Sequence, residues 1–291
     1  MNKIRFIYNP VSGNGILKTK LDSIFEKFQR HGFQLVPHKL LGKSDVKRAF
    51  DFDSKEYYGI VAAGGDGTVH DVVNEMKREN IEIPLGIIPS GTSNDFANHC
   101  GFPKSISECI ETITLKNNIE TIDIGKVNEK YFINVVAGGI LANIAHKAEK
   151  NLKNTMGMFA YYLKALEEIP NFKPFDIEIT SNSKKISEKV LMFLVLNTSI
   201  AGGFNIIPNA KINDGKLDVC LIKSCNIAEF GGLFIKLLRG EHIQDERIIC
   251  FQTDKLYINS NSKAETDIDG EKGHEFPLSI EVFPKSLRVF K

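Results

Sequence analysis

The stretch Ile60-Val61-Ala62-Ala63-Gly64-Gly65-Asp66-Gly67-Thr68 decides how this 291-residue chain is read. Its first four residues are a compact apolar strand signal, and a glycine-rich turn follows at once. Beyond the turn Val69, Val72, Val73 and Met76 recur at helical spacing, which predicts a helix over residues 68–78. A strand, a glycine turn and a helix N-terminus in succession turn unpaired backbone N–H groups and the positive end of the helix dipole toward a phosphate. The glycines permit positive φ and a close approach of backbone to ligand. Asp66 is an acid among amides that favour anions, which fits a residue holding Mg²⁺ or the proton of a substrate hydroxyl. The turn matches neither the Walker A pattern nor G-x-G-x-x-G, and a plain βα connection is the competing reading.

Outward from this stretch the same alternation repeats. Residues 3–8 read as a buried strand, followed by the loop Asn9-Pro10-Val11-Ser12-Gly13-Asn14-Gly15. Leu17, Leu21, Ile24, Phe25 and Phe28 mark a helix that Gly32 stops. Residues 33–39 are a second strand, and Ser44 is placed to cap a short helix through Phe50. Residues 85–88 form another strand, followed by a second glycine loop, Gly91-Thr92-Ser93-Asn94-Asp95, and by helices over 95–100 and 105–115. This predicts a doubly wound parallel sheet. Its three loops at Asn9, Gly64 and Gly91 lie at the C-terminal strand ends, where such sheets bind ligands.

Near Thr121 the pattern changes. Residues 121–127, 131–136, 175–181, 190–197, 217–222, 255–259, 264–269 and 278–283 read mostly as strands, with helices only at 156–168 and 227–238. The expected fold is therefore α/β. An N-terminal doubly wound nucleotide-binding domain (1–122) precedes a C-terminal β-rich, sandwich-like domain (123–284), with the active site in the cleft between them. A last strand from 285 to 291 is placed to pack back on the first domain.

Composition narrows the partners. A net charge of +1 removes the electrostatic case for nucleic acid. Cys100, Cys109, Cys220, Cys225 and Cys250 show no metal-site spacing and read as reduced thiols of a cytoplasmic protein. No signal peptide and no transmembrane segment is visible, so a membrane substrate would be reached from the surface by transient peripheral association. Ile227, Phe230, Leu233, Phe234, Leu237 and Leu238 share one helical face near Lys236 and Arg239; a core-facing helix is favoured over an interfacial one. Exposed strand edges leave room for a homodimer.

The two glycine loops together resemble the catalytic domain of the diacylglycerol kinase and sphingosine kinase superfamily of lipid kinases, in its soluble bacterial members. The resemblance spans nearly the whole chain. It includes Asn9-Pro10-Val11-Ser12-Gly13, Gly202-Gly203, the run from Pro208 to Asp218 with Asn213-Asp214-Gly215, and Asp269-Gly270-Glu271. It implies that Asn9, Pro10, Val11, Ser12, Gly13, Gly64, Gly65, Asp66, Gly67, Thr68, Val69, His70 and Thr92 hold ATP. It further implies that Asp66 organises a catalytic Mg²⁺ and that Glu271 is the general base. A structural Mg²⁺ would be held by the Asp214 side chain with the carbonyls of Lys211 and Lys216, and a carboxylate plus backbone oxygens does suit a hard cation. Asp214-Gly215 and Asp269-Gly270 also read as type I′ hairpin turns. His70-Asp71 departs from the family's usual Asn-Glu. The implied activity is ATP-dependent phosphorylation of a neutral lipid at the membrane surface, with diacylglycerol giving phosphatidic acid for phospholipid biosynthesis. The alternatives are a sphingosine-like lipid or phosphatidylglycerol, an NAD-kinase-like small-molecule kinase, and a non-catalytic nucleotide sensor.

Overall fold

The structure, a computed structural model, describes residues 2–13, 15–116, 118–140, 142, 173–182 and 184–291. It divides into two units, Met1–Ile122 with Lys285–Lys291, and Asp123–Pro284.

In the first unit β1 (Asn2–Tyr8), β2 (Phe33–Lys39), β3 (Tyr57–Gly64) and β4 (Leu85–Pro89) form a parallel sheet in the order β2-β1-β3-β4. Ala63 lies opposite both Tyr8 and Ile88, so the three strands end level with one another. Residues 59–64 are buried throughout, as a strand covered on both faces must be. Helix α1 (Ile16–Arg30) turns Leu17, Ile24 and Phe28 inward, and α2 (Asp66–Arg78) does the same with Val69, Val72, Val73 and Met76. Two shorter helices follow, α3 (Asp95–His99) and α4 (Ile106–Thr114). The strand order reverses between β1 and β3, the switch point at which doubly wound sheets open a crevice. The predicted helix before Phe50 is a 3₁₀ segment, Lys43–Phe50, with Gly42 rather than Ser44 at its N-cap position. The chain already turns one residue before the serine, so the expected cap is corrected.

The second unit is antiparallel. The predicted strand over 131–136 is two strands, because residues 133–134 break it. They are β6 (Lys130–Phe132), paired with β5 (Ile119–Val127), and β7 (Val135–Gly139). Strand β9 (Lys185–Leu196) joins the layers: its first half pairs with β8 (Phe175–Ser181), its second with β7 and with β12 (Leu217–Lys223). The hairpin β10 (Ile200–Ala201) and β11 (Phe204–Asn205) lies between β9 and β12. Phe193 and Val195 of β9 enter one apolar cluster with Leu217, Val219 and Leu221, while Met192, Leu194 and Leu196 enter another with Cys220. That alternation is the period-2 signature of a strand with a core on each side. Helix α5 (Ile227–Arg239) covers the second cluster with Phe230 and Leu233 and leaves Ile227, Ile235 and Leu238 exposed. It opens on an Asn226–Glu229 capping box. The other helix expected in this half, residues 156–168, lies outside the described residues.

Strand β13 (Ile248–Thr253) was not expected from the sequence. It pairs with β12 and sets Cys220 opposite Cys250, which form a disulfide with Cα atoms 4.4 Å apart. The expectation of five reduced thiols is corrected for this pair. Closing a 30-residue separation stabilises the fold by about 3.6 kcal/mol on chain-entropy grounds. Cys100 and Cys109 are free and buried, and burial pushes both thiols up to about 12. The remaining strands are β14 (Lys255–Asn259), β15 (Thr266–Ile268), β16 (Glu271–Lys272) and β17 (Leu278–Phe290). The two strands expected over 278–290 are this single strand β17. Its start pairs with β14, and Val289 lies opposite Leu85 of β4. Lys285, at φ +48°, marks where the strand passes from one unit to the other.

Candidate active site

In the first unit three loops leave the sheet at the same level, and they interlock through missing side chains. A Cβ on Gly91 would stand 2.6 Å from the Gly65 Cα, and one on Gly13 would stand 2.1 Å from the Ser90 carbonyl oxygen. Gly13 also sits at φ +55°, where glycine has no penalty. A Cβ on Gly64 would collide with the Thr68 side chain at 2.4 Å. The Thr68 hydroxyl in turn receives a hydrogen bond from Asn9 Nδ2 at 3.3 Å. Asn9 Oδ1 accepts the Val11 N–H, an Asx turn that shapes the first loop. Asn94, at φ +52°, closes the third loop by accepting the Gly91 N–H and donating to the Gly91 carbonyl. Asp66 opens α2, and its Oδ1 accepts the Phe96 N–H at 3.1 Å, tying the second loop to α3.

The structure thus brings Asn9, Ser12, Gly13, Gly64, Gly65, Asp66, Thr68 and Gly91 into one cradle, with Thr92 exposed beside it. Val69 and His70 are buried in α2, and the His70 ring meets Asn74 Nδ2 at 3.3 Å. Their side chains belong to the helix packing. Ser90 was missed in the sequence. It is buried and its hydroxyl has no partner among the described residues. Its only signal was a serine between a strand and a glycine. A cradle that a Cβ would fill fits a phosphate.

In the second unit Asp269 and Gly270 have φ of +50° and +87° and join β15 to β16 with Ile268 opposite Glu271, the type I′ hairpin the sequence predicts. The Asp269 carboxylate accepts three backbone N–H groups, from Ile133, Asn134 and Val135, at 2.7–2.9 Å. Gly270 N–H donates to Asp267 Oδ1. So anchored, the turn presents Glu271, whose Oε2 receives Lys130 Nζ at 2.8 Å. Nothing in the sequence announced Lys130, since its partner lies 141 residues away.

The loop before β12 holds Lys211, Asp214 and Lys216. Asp214-Gly215 is not the I′ turn expected, because only Gly215 has positive φ and no hairpin closes there. Asp214 Oδ1 accepts the Lys216 N–H, and the buried Asp123 accepts the Gly215 N–H at 2.7 Å. Asp218 stands close by, its carboxyl pushed up chiefly by burial and further by the charge of Asp214. Carboxylate oxygens gathered at a backbone turn are the donor set of a hard cation.

A glycine cradle at the switch point of one unit and a carboxylate turn on a β-rich second unit suit a kinase. Residues 3–127 match the diacylglycerol kinase catalytic domain, and residues 134–291 match the YegS C-terminal NAD kinase beta sandwich-like domain. A protein of Bacillus subtilis (strain 168) named diacylglycerol kinase is 37% identical over 280 residues, 95% of this chain and 92% of that protein. One of the same name from Staphylococcus haemolyticus is 34% identical over 98% of this chain and 87% of its own. Among solved structures, a diacylglycerol kinase from Bacillus anthracis str. Sterne has a TM-score of 0.78 at 25% identity, covering 99% of this chain and 96% of its own. A second crystal structure from that organism reaches 0.86 at 27% identity, covering 99% and 94%. The chain belongs to the diacylglycerol kinase family and is a lipid kinase. Among the described residues no helix is long and apolar enough to cross a membrane.

Proposed function

We propose that this lipid kinase transfers the γ-phosphate of ATP to the free hydroxyl of diacylglycerol, giving phosphatidic acid. The interlocked glycine cradle is the observation that carries the reading. In it the loop of Asn9, Pro10, Val11, Ser12 and Gly13, the stretch from Gly64 to His70 and Thr92 cradle the phosphates. Asp66, at the start of α2, is the ligand for a catalytic Mg²⁺, which when bound neutralises charge on the transferring phosphoryl group. Asp214, with the Lys211 and Lys216 carbonyls, holds a second, structural Mg²⁺.

Glu271 accepts the proton of the lipid hydroxyl as the oxygen attacks the γ-phosphorus and ADP leaves. Lys130 fixes the direction of the Glu271 carboxylate. Proton removal by a positioned carboxylate is worth about 10²–10⁴ in rate. The lipid is met at the membrane surface, so no helical anchor is needed.

The test is radiolabelled ATP offered with diacylglycerol, a sphingosine-like lipid, phosphatidylglycerol and NAD. Label in the organic phase with diacylglycerol alone supports the reading. Label only with another lipid, or only in the aqueous phase, transfers the activity to that acceptor. Glu271→Gln should lower turnover by about 10² or more with ATP affinity unchanged; full turnover in that variant removes Glu271 from the mechanism.

A further inference from the structure

Helix α5 divides its surface into three arcs, where a surface helix ordinarily has an apolar and a polar one. Phe230, Leu233 and Leu237 pack on the apolar cluster below. At 3.6 residues per turn, Glu229, Lys236 and Arg239 share a narrow polar flank. The third arc, Ile227, Ala228, Gly231, Ile235 and Leu238, carries no polar side chain. Ile227, Ile235 and Leu238 are 45%, 52% and 59% exposed, and a Cβ on Gly231 would meet nothing within 4 Å, so this arc faces open space. Among the described residues no other element exposes more than one large hydrophobic side chain. Ile243, in the turn after α5, is exposed as well.

The charges beside this arc point to what covers it. Glu229 closes the capping box and lies 3.8 Å from Arg247. Lys236 donates to Asp245 at 2.7 Å, and Asp245 also receives Arg247. These pairs leave no cluster of free cations of the kind that holds anionic lipid. Arg239 is exposed at the end of the arc, where its stem can lie on hydrocarbon and its head stay in water. The face is apolar and electrically balanced, and a lipid kinase draws its substrate from a bilayer. A lipid without a headgroup, such as diacylglycerol, opens gaps between the headgroups of its neighbours, and the apolar side chains of an interfacial helix fill such gaps. We propose that the arc of Ile227, Ile235 and Leu238 is a membrane-docking face that inserts where lipid packing is loose. The enzyme then settles where its substrate accumulates. Phosphorylation gives the lipid a headgroup, closes the gap and weakens the hold on the product. This deepens the kinase reading and rests on it for the lipid that opens the membrane; the contact itself is measured without that lipid.

The experiment floats the full chain, without nucleotide, on small, highly curved vesicles of phosphatidylcholine, whose packing is loose, and on large flat ones. The curved vesicles are expected to carry most of the protein and the large ones little, until diacylglycerol is added to them. Ile235→Asp with Leu238→Asp should lower binding about tenfold or more, the worth of two half-exposed aliphatic side chains, while raised salt leaves binding unchanged. Equal binding by the double variant, no preference for curved vesicles, or binding that needs anionic lipid and vanishes in salt overturns the proposal. A double variant that passes from dimer to monomer with vesicle binding intact gives the face to a second copy of the chain and overturns it too. The sequence has no tryptophan, so Leu238→Trp supplies a single reporter that decides even if the double variant does not fold. Its emission should move to shorter wavelength on curved vesicles, and unmoved emission overturns the insertion. Turnover of diacylglycerol in detergent micelles should be equal in the double variant and the unaltered chain, while turnover on vesicles falls with binding; full turnover on vesicles overturns the docking role. No label transfer in either format overturns the diacylglycerol reading and leaves the vesicle result standing.

Discussion

Asp269 shows how one side chain can set the geometry of a candidate catalytic turn. Its carboxylate collects three consecutive backbone N–H groups, and no other residue type accepts in that way from so short a stem. Asp269→Ala leaves those amides without their acceptor and should cost about 3 kcal/mol, at roughly 1 kcal/mol for each. Chemical denaturation would register this as a lowered midpoint, and an unchanged midpoint would show that water replaces the carboxylate at no cost. The sequence made Asp269-Gly270 legible as a hairpin, because turn chemistry is local. It did not reveal the three amides, because they come from residues 133–135. Lys130 and Ser90 were hidden for the same reason: each acquires meaning from a segment distant in the chain.

At the level of elements, the glycine loops were readable because an apolar strand precedes each, and an amphipathic helix of ordinary length follows the first two. Their interlocking was not, since a glycine opposite a glycine leaves no pattern in the chain. Gly91→Ala tests that contact. A methyl group 2.6 Å from the Gly65 Cα must drive the second and third loops apart. Nucleotide affinity should fall by about tenfold or more while the unfolding midpoint changes little, because the clash is relieved at the rim of the sheet and not in its core. Retained affinity would mean that the cradle yields without harm. Strand β13 escaped the sequence reading, which placed a strand only at 255–259, because a single residue, Asp254, separates it from β14 and no glycine or proline turn marks it off. The exposed half of α5 was equally opaque. Its apolar positions exceed what one face needs, and only packing shows that Phe230 and Leu233 are covered while Ile235 and Leu238 are not.

Across the whole molecule, the two units are held to one chain twice, through β5 and through β17. The second connection is the less expected. Phe290 is fully buried in the first unit, its ring stacked on Tyr58 at 5.6 Å and filling the space left by Gly59. Lys77 donates to the Ser286 carbonyl, and the Lys291 N–H bonds to Asn118. Phe290→Ala should therefore cost about 3–5 kcal/mol, read as an earlier unfolding transition that weakens nucleotide binding as well. An unaltered transition would show that the sheet closes without this residue.

The return of β17 also has a consequence in time. The first unit takes its fifth strand from residues 285–291, and residues 123–284 lie between that strand and the rest of the sheet. During synthesis the first unit must wait with one sheet edge unpaired while the whole second unit emerges from the ribosome. A nascent chain halted before residue 285 would carry an open edge, the kind of surface that recruits neighbouring strands. Emergence of residues 285–291, rather than of residues 1–122, is then the event that closes the sheet of the first unit.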